Sequence, residues 1–322
     1  MSHQPFHLSV NYPWNRYAQD FGVSPEGHQG TSLPENRSSL SAEFTRIRDC
    51  GVKAVRWFLF ADGRSGFVSE NGIPRRPDEF LLADVEAALE MARQSGLQVC
   101  FSLIDYVWLQ DHSGKEPLHA NERVMQFAAG REAFLHRVLI PMFREFRGHP
   151  ALFAWEIANE PEWAIREFHC APTARMHYAD FRAFAAEVAD AVREFGHVPV
   201  TLGSARLDWV RAWTEMTLDF YQAHYYPSPA ADCHAELAKQ CASLHLLDKP
   251  LWLGELPAHD GRATGYSLES ALNYCQDAGL VGAAVWRWTA PEATGTDVHV
   301  GSVDPKILAA WSCGSRTKNA VV

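Results

Sequence analysis

The sequence lacks the features of several common protein classes. No run of Lys and Arg occurs in it, and 29 basic against 39 acidic side chains give a formal net charge of −10 at pH 7. Binding to phosphate-rich surfaces needs clustered positive charge, so we expect neither nucleic acid nor a membrane as a partner. No apolar run approaches the ~18 residues that a membrane-spanning helix needs. A neutral or small ligand fits this composition better.

Secretory and disulfide signals are also missing. The chain begins without a basic segment followed by a hydrophobic stretch, so no signal peptide is expected. The seven cysteines are odd in number and form no Cys-x-x-Cys pair, which is typical of reduced thiols. We therefore predict a cytoplasmic location, or a secreted one if a signal has been removed.

The motifs of three other chemistries are absent. The first apolar strand is not followed by Gly-x-Gly-x-x-Gly, which disfavours a dinucleotide-binding doubly wound sheet. Neither His-Glu-x-x-His nor another metal-ligand cluster occurs, and there is no Gly-x-Ser-x-Gly for a serine hydrolase. We expect no metal and no cofactor.

A recurring unit is present instead: an amphipathic helix, a glycine and a short apolar strand. Residues 82–95 place apolar side chains on one helix face, Gly96 follows as a C-cap, and a strand comes next. The same order recurs at residues 44–60, 178–202 and 268–286. Eight strands are predicted in all: Phe6–Tyr12, Val52–Phe60, Leu97–Leu103, Leu152–Ala158, Val198–Leu202, Leu218–Tyr226, Leu251–Gly254 and Leu280–Trp286.

Eight strands alternating with helices over 322 residues predict an α/β protein with a (β/α)₈ TIM-barrel fold. No linker or change in composition divides the chain, so residues 1–322 are expected to form a single catalytic domain. The long segments 61–80, 106–129 and 161–177 follow strands two, three and four. They are therefore expected on the face of the barrel that carries active sites.

The carboxyl ends of the predicted strands carry polar and aromatic side chains. Glu160 and Glu255 end strands four and seven, which face each other across the barrel mouth. A retaining glycosidase needs two such carboxylates, roughly 5–5.5 Å apart. The further candidates, as substrate-binding residues, are Asn11, Trp14, Arg56, Asp105, Trp108, Asn159, His224, Tyr226, Trp286 and Trp288.

Several of these strand ends resemble the corresponding segments of a known family. Trp155–Pro161 resembles the Asn-Glu-Pro signature that ends strand four in the clan A glycoside hydrolases of family five, the cellulase and mannanase family. Lys249–Glu255 resembles that family's strand seven, which ends in the nucleophile. His224-Tyr225-Tyr226-Pro227 resembles its His-x-Tyr element after strand six.

Other matching elements follow in barrel order, over residues 6 to 290. Arg56 resembles the family's strand-two arginine, and Gly282–Trp288 its strand-eight tryptophan segment. Val10-Asn11-Tyr12 is similar to the strand-one start of mannanase-like members. Strand three departs from the pattern: many relatives end it in a histidine, whereas this chain has Trp108 nearby, as in mannanase-like members. The departure bears on the sugar, not on the reaction.

The resemblance implies a retaining β-glycoside hydrolase that acts on β-linked gluco- or manno-configured polysaccharides or oligosaccharides, with manno slightly favoured. Glu255 would be the nucleophile and Glu160 the acid/base. Asn159 would donate to the sugar 2-hydroxyl, and Trp286 or Trp288 would offer a platform to the sugar. Arg56 and Tyr226 would lower the pKa of Glu255.

Further carboxylates and aromatic residues lie near these motifs. Glu156 is four residues before Glu160, so we predict a buried paired charge one layer deeper, whereas Glu162 is expected at the loop surface. Phe67, Trp163 and Phe168 are candidate subsite residues.

Two other functions are compatible with the same residues. The chain could be a barrel that binds carbohydrate without cleaving it, although binding alone requires no carboxylate pair. It could also be a transglycosylase, because access of water to the glycosyl-enzyme decides between the two reactions. The sequence leaves oligomeric state, linkage and endo or exo action open.

Overall fold

The predicted apolar strands pair side by side into one closed parallel barrel in a computed structural model. It describes residues 6–110, 121, 123–228, 232–242, 244, 247–260, 265–288 and 302–319. Each strand pairs with its neighbour in the chain, and the first pairs with the last. The (β/α)₈ prediction is confirmed. The strands are β1 (His7–Asn11), β2 (Ala54–Phe58), β3 (Gln98–Asp105), β4 (Leu152–Asn159), β5 (Val200–Ser204), β6 (Tyr221–His224), β7 (Leu251–Pro257) and β8 (Gly282–Trp286).

Helices connect most of the strands on the outside of the barrel. A π-helical turn, Leu135–Leu139, joins the helices Ala128–Phe134 and Ile140–Glu145, and another, Val192–Gly196, extends the helix Tyr178–Ala191. Only a 3₁₀ segment, Leu207–Trp213, lies between β5 and β6. The helices are α1 (Pro34–Asp49), α2 (Leu81–Ser95), α3 (Tyr106–Leu109), α4 (Arg123–Gln126), α5 (Ala128–Phe134), α6 (Ile140–Glu145), α7 (Tyr178–Ala191), α8 (Cys233–Ala242), α9 (Leu268–Asp277) and α10 (Pro305–Asn319).

The α2 segment shows how the sequence pattern produces this packing. Val85, Ala88, Leu89 and Ala92 recur at helical spacing, and all four are buried. The helix ends at Gly96, whose φ of 73° is the left-handed conformation that glycine adopts without a Cβ clash. The chain then enters β3 directly.

Several strand bounds differ from the predicted ones, and two of the differences affect the barrel mouth. β3 extends to Asp105 and β7 to Pro257, so Asp105 and Glu255 are strand residues rather than the first loop residues. Apolar patterning could not show this, because a polar residue facing the barrel mouth interrupts the apolar run. The predicted loop 61–80 also contains a hairpin, Phe67–Glu70 with Ile73–Pro77.

The loop after β1 is held by a buried aspartate. The Asp20 carboxylate accepts hydrogen bonds from the backbone N–H groups of Asn15 and Arg16 and from the indole of Trp57. Burial raises the pKa of Asp20 to about 6. This loop carries Trp14 to the barrel mouth.

All seven cysteines are free thiols. Cys313 on α10 is exposed and Cys170 is half-buried. The other five are buried: Cys50, Cys100, Cys233, Cys241 and Cys275. Among the described residues, no helix is both long and apolar enough to cross a bilayer.

Candidate active site

Glu160 lies where β4 turns into the following loop. Its φ of 49° is left-handed, which is uncommon for a residue other than glycine. Its backbone N–H donates to the carbonyl of Gly203 at 2.7 Å, and Pro161 begins a 3₁₀ turn that ends at Trp163. Strained backbone of this kind is concentrated at functional sites, where the surrounding contacts hold it in place.

The Glu160 carboxyl group is held by two ring nitrogens. Oε1 lies 2.7 Å from Nδ1 of His224, and Oε2 accepts a hydrogen bond from the indole N–H of Trp163 at 2.9 Å. The side chain keeps 16% of its surface exposed. It is therefore fixed in orientation while still reaching the barrel mouth.

Glu255 lies on the opposite side of the mouth, on β7. Its Oε1 accepts from the guanidinium of Arg56 at 2.8 Å, and its Oε2 accepts from the hydroxyl of Tyr226 at 2.6 Å. Nδ1 of His224 is 3.5 Å from Oε1. One oxygen of Glu255, one oxygen of Glu160 and a ring nitrogen of His224 all lie within 4.8 Å of one another. This spacing matches the retaining class, since inverting enzymes separate their carboxyl groups by roughly 6.5–9.5 Å.

Arg56 ties the floor of the site together. Its fully buried guanidinium donates two hydrogen bonds to Glu156, each 2.6 Å long. It also donates to the side-chain oxygens of Asn11 and Asn159. Glu156 is therefore a buried paired charge, as predicted. The single guanidinium of Arg56 forms ion pairs with two carboxylates, Glu156 and Glu255.

Burial dominates the charge states in the site. It raises the pKa of Glu255 to about 7, against the lowering by His224, Arg56 and the Tyr226 hydrogen bond. The expected lowering partners are present, but removing the carboxyl from water outweighs them. Burial also raises the pKa of Asp105 to about 7 and lowers that of His224 to about 4.

A cavity of about 710 Å³ opens above these side chains. Its volume is typical of ligand-binding clefts. Trp163, one of the loop aromatics, also lines it. The candidate residues that line it are Trp14, Asp105, Asn159, Glu160, His224, Tyr226, Glu255 and Trp286.

Trp108 and Trp288 do not line this cavity, so the structure gives no support to their assignment as substrate contacts. Trp108 belongs to α3, is fully buried, stacks against Phe67 and donates to the carbonyl of Asn121. Trp288 was expected to share a face with Trp286, but β8 ends at Trp286 and the alternation stops there. The Trp288 indole instead donates to Glu43 on α1.

Asn11 and Arg56 also lie outside the cavity lining. Both are fully buried in the layer beneath the carboxylates, where Asn11 donates to the carbonyls of Gly254 and Ala284. The structure shows both residues in contact with other side chains and carbonyls of the site, and it gives no support to their assignment as direct substrate contacts. Asn11 and Arg56 do not reach the cavity because they are strand residues, on β1 and β2, that are buried beneath the side chains of the barrel mouth.

Two loop predictions need correction as well. Glu162 is not at the surface: it is fully buried and hydrogen-bonded. Phe67 is a core residue, and Phe168 packs against Trp209 and Trp213 rather than lining the cavity. Sequence reasoning also missed Tyr17, Phe58, Arg206 and Gln240, which line the cavity from segments without a recognisable motif.

The donor set of Glu160, His224 and Glu255 is spaced closely enough to hold a metal ion. Its chemistry argues against one. Arg56 already places a positive charge on Glu255, and the oxygens of Glu160 are engaged by His224 and the Trp163 indole. A second cation there would be repelled by the guanidinium.

Comparisons with known proteins agree with this geometry. No protein-family model matches the chain. It is 26% identical over 325 residues to a mannan endo-1,4-beta-mannosidase of Mytilus edulis, covering 89% of this chain and 84% of that protein. A mannan endo-1,4-beta-mannosidase of Cryptopygus antarcticus is 20% identical, over 88% of this chain and 80% of that protein.

A solved structure shows the same fold. The beta-mannanase of the blue mussel Mytilus edulis superposes with a TM-score of 0.72 at 21% identity, over 97% of this chain and 92% of that one. Together with the motifs in barrel order, the two curated relatives confirm the prediction of a glycoside hydrolase, one that resembles the clan A enzymes of family five.

Proposed function

We propose that the protein hydrolyses internal β-1,4-mannosidic bonds of mannan or manno-oligosaccharides with retention of anomeric configuration. The observation that carries the mechanism is the close approach of Glu160 and Glu255, whose oxygens lie within 4.8 Å. The mannan substrate and the endo action rest on the two curated relatives, both mannan endo-1,4-beta-mannosidases.

In the first step Glu255 attacks the anomeric carbon and Glu160 protonates the departing oxygen. Attack requires Glu255 to be ionised, and Arg56 and Tyr226 both stabilise its charge. The charge of Glu160 is one of the causes that raise the pKa of Glu255, so the two carboxyl groups oppose each other's ionisation. The direct contacts of Glu255 with Arg56 and Tyr226 favour the charge on Glu255 and the shared proton on Glu160. The resting enzyme then holds a nucleophile and an acid side by side.

In the second step water releases the sugar from Glu255. Once Glu255 is an ester its negative charge is gone, so Glu160 can ionise and accept a proton from the attacking water. The His224 ring and the Trp163 indole keep the same carboxyl in place for both steps. Two inversions at the anomeric carbon give net retention.

Two cavity residues would position the sugar. The side-chain oxygen of Asn159 accepts a hydrogen bond from Arg56, and its amide nitrogen donates one hydrogen to Asp105. These two contacts fix the orientation of the amide, and its second hydrogen would be donated to the sugar 2-hydroxyl. Trp286, only 8% exposed, presents its indole to the cavity as a platform for the sugar ring.

The proposal is tested by measuring products released from β-mannan, β-glucan and xylan, resolved by size, with wild type and Glu255→Ala. We expect oligosaccharides from mannan alone, and a loss of roughly 10³-fold or more in the variant. Glu269→Ala, which removes a carboxylate exposed on α9, is the control and should keep full activity.

Other outcomes would change the proposal. Undiminished activity in Glu255→Ala would remove the nucleophile assignment. If mannohexaose is the substrate instead, products longer than mannohexaose would favour a transglycosylase. A folded protein that is inactive on all three polymers but binds mannan would favour the binding-only alternative.

A further inference from the structure

Glu162 has no part in the two chemical steps, yet it is one of the most completely buried carboxylates in the described structure. Its side chain has no solvent exposure. Three groups donate to it: the Ser204 hydroxyl at 2.6 Å, the Trp213 indole at 2.7 Å and the backbone N–H of Ala205 at 3.1 Å. Burying a carboxyl group costs free energy, and residues in a loop are usually exposed to solvent, so the burial and hydrogen bonding of Glu162 call for an explanation.

These contacts fasten the turn after β4 to the end of β5. Glu160 donates its N–H to Gly203, and Glu162 receives donors from the next two residues, Ser204 and Ala205. Three consecutive residues of one strand end therefore hold two residues of the turn. The Trp213 indole, at the end of the 3₁₀ segment Leu207–Trp213, donates a further hydrogen bond to the Glu162 carboxylate.

The turn also includes the group that contacts Glu160 directly. Trp163 follows Glu162, donates its backbone N–H to the carbonyl of Glu160 at 3.1 Å, and donates its indole N–H to Glu160 Oε2. A movement of Glu162 would therefore shift both the left-handed backbone of Glu160 and the indole that orients its carboxyl group. Misplacement of a catalytic group by about 1 Å can cost roughly 100-fold in rate.

We propose that Glu162 is a positioning residue for the acid/base, holding Glu160 against His224 and Trp163 and at its working distance from Glu255. The inference rests on the proposed function, because it assigns Glu162 a role only if Glu160 transfers the proton. If Glu162 had only a structural role, its substitution would lower stability and would reduce the activity on all substrates by the same factor.

The test compares two substrates that share a glycone and differ in leaving group. One is 2,4-dinitrophenyl β-mannotrioside, whose phenolate departs without protonation, and the other is mannohexaose, whose sugar leaving group needs the acid. Since kcat/KM reports steps up to glycosyl transfer, the ratio of the two values measures acid catalysis. Wild type is compared with Glu162→Gln and Trp213→Phe, the latter removing a single donor while keeping a ring in the core.

We expect the ratio of aryl to mannohexaose kcat/KM to rise roughly tenfold to 100-fold in Glu162→Gln and by less in Trp213→Phe. The matched control is Trp57→Phe, which removes an indole donor from another buried carboxylate, Asp20. This control should lower stability and leave the ratio unchanged. If Glu162→Gln fails to fold, Trp213→Phe still tests the ratio.

An equal loss of activity on both substrates in folded Glu162→Gln would overturn the proposal. If Glu162→Gln does not fold, an equal loss on both substrates in Trp213→Phe would overturn it. Glu160→Ala separates this failure from a failure of the proposed function. If Glu160→Ala also leaves the ratio unchanged, Glu160 is not the acid and the mechanism itself falls. If Glu160→Ala raises the ratio and the Glu162 variants do not, only the positioning role is wrong.

Discussion

At the scale of single residues, the activity of the site depends on whether the buried carboxyl group of Glu255 is ionised. Glu255 is 4% exposed, and burial raises its pKa to about 7 although Arg56 and Tyr226 both favour the charged form. The hydroxyl of Tyr226, 2.6 Å from Oε2, therefore helps to keep the nucleophile ionised near neutrality. Hydrogen bonds to charged groups contribute about 1.5–3 kcal/mol.

Tyr226→Phe removes this donor and tests its contribution. The pKa of Glu255 should rise further above about 7, because the charged form loses a partner and the neutral form loses less. The acid limb of the kcat/KM profile should move up by about one pH unit, and activity at pH 6 should fall about tenfold. An acid limb that stays in place would show that Tyr226 does not act on Glu255.

At the scale of strands, the floor of the site depends on the absence of a side chain at Gly254. A Cβ at this position would lie 2.3 Å from the amide nitrogen of Gln222 on β6. That nitrogen donates to Glu156 at 2.9 Å, and Glu156 in turn holds Arg56. The residue before the proposed nucleophile must therefore be small for this buried network to form.

Gly254→Ala should displace Gln222 and weaken the network beneath Glu255. Overpacking of this kind costs about 1–3 kcal/mol of unfolding free energy, and we expect kcat to fall more than KM rises. Urea denaturation and steady-state kinetics on mannohexaose measure both effects. Gly314→Ala is the control, because a methyl group there meets no atom of the described residues within 4 Å beyond its own turn of helix, and it should leave kinetics unchanged. Wild-type kinetics in Gly254→Ala would contradict the coupling between network and nucleophile.

At the scale of the whole molecule, buried carboxyls make stability depend on pH. The pKa of Asp20 rises from 3.8 to about 6 on folding because of burial. Between these two values the folded chain binds more protons than the unfolded chain, so the Asp20 contribution to stability falls as pH rises. It is fully present below pH 3.8 and is lost as pH passes about 6.

Asp20→Asn isolates this contribution, since the amide does not titrate. The difference in unfolding free energy between wild type and variant should change by about 2 kcal/mol from pH 4 to pH 7, with wild type relatively less stable at pH 7. Urea unfolding at the two pH values measures it. A difference that is constant, or that moves in favour of wild type at pH 7, would contradict the assignment.

The barrel could be predicted because helix period, glycine C-cap and apolar strand agree along the chain, as at α2, Gly96 and β3. The two glutamates could be predicted because each lies at or near the carboxyl end of an apolar strand and because the motifs that contain them occur in barrel order. Trp288 could not be placed, because period-two alternation holds only as far as β8 continues. Glu162 was misplaced because its partners, Ser204 and Trp213, are distant in sequence and nothing local indicates a buried carboxylate.

The distribution of thiols allows the opening of the barrel to be followed by chemical labelling. Cys313 is exposed, whereas Cys50, Cys100 and Cys275 lie buried at the end of α1, in β3 and in α9. A thiol reagent should modify exposed Cys313 first and reach these three of the five buried thiols only when their elements open. Mass spectrometry of timed samples would then record the order in which separate sectors of the barrel unfold, without any substitution in the chain.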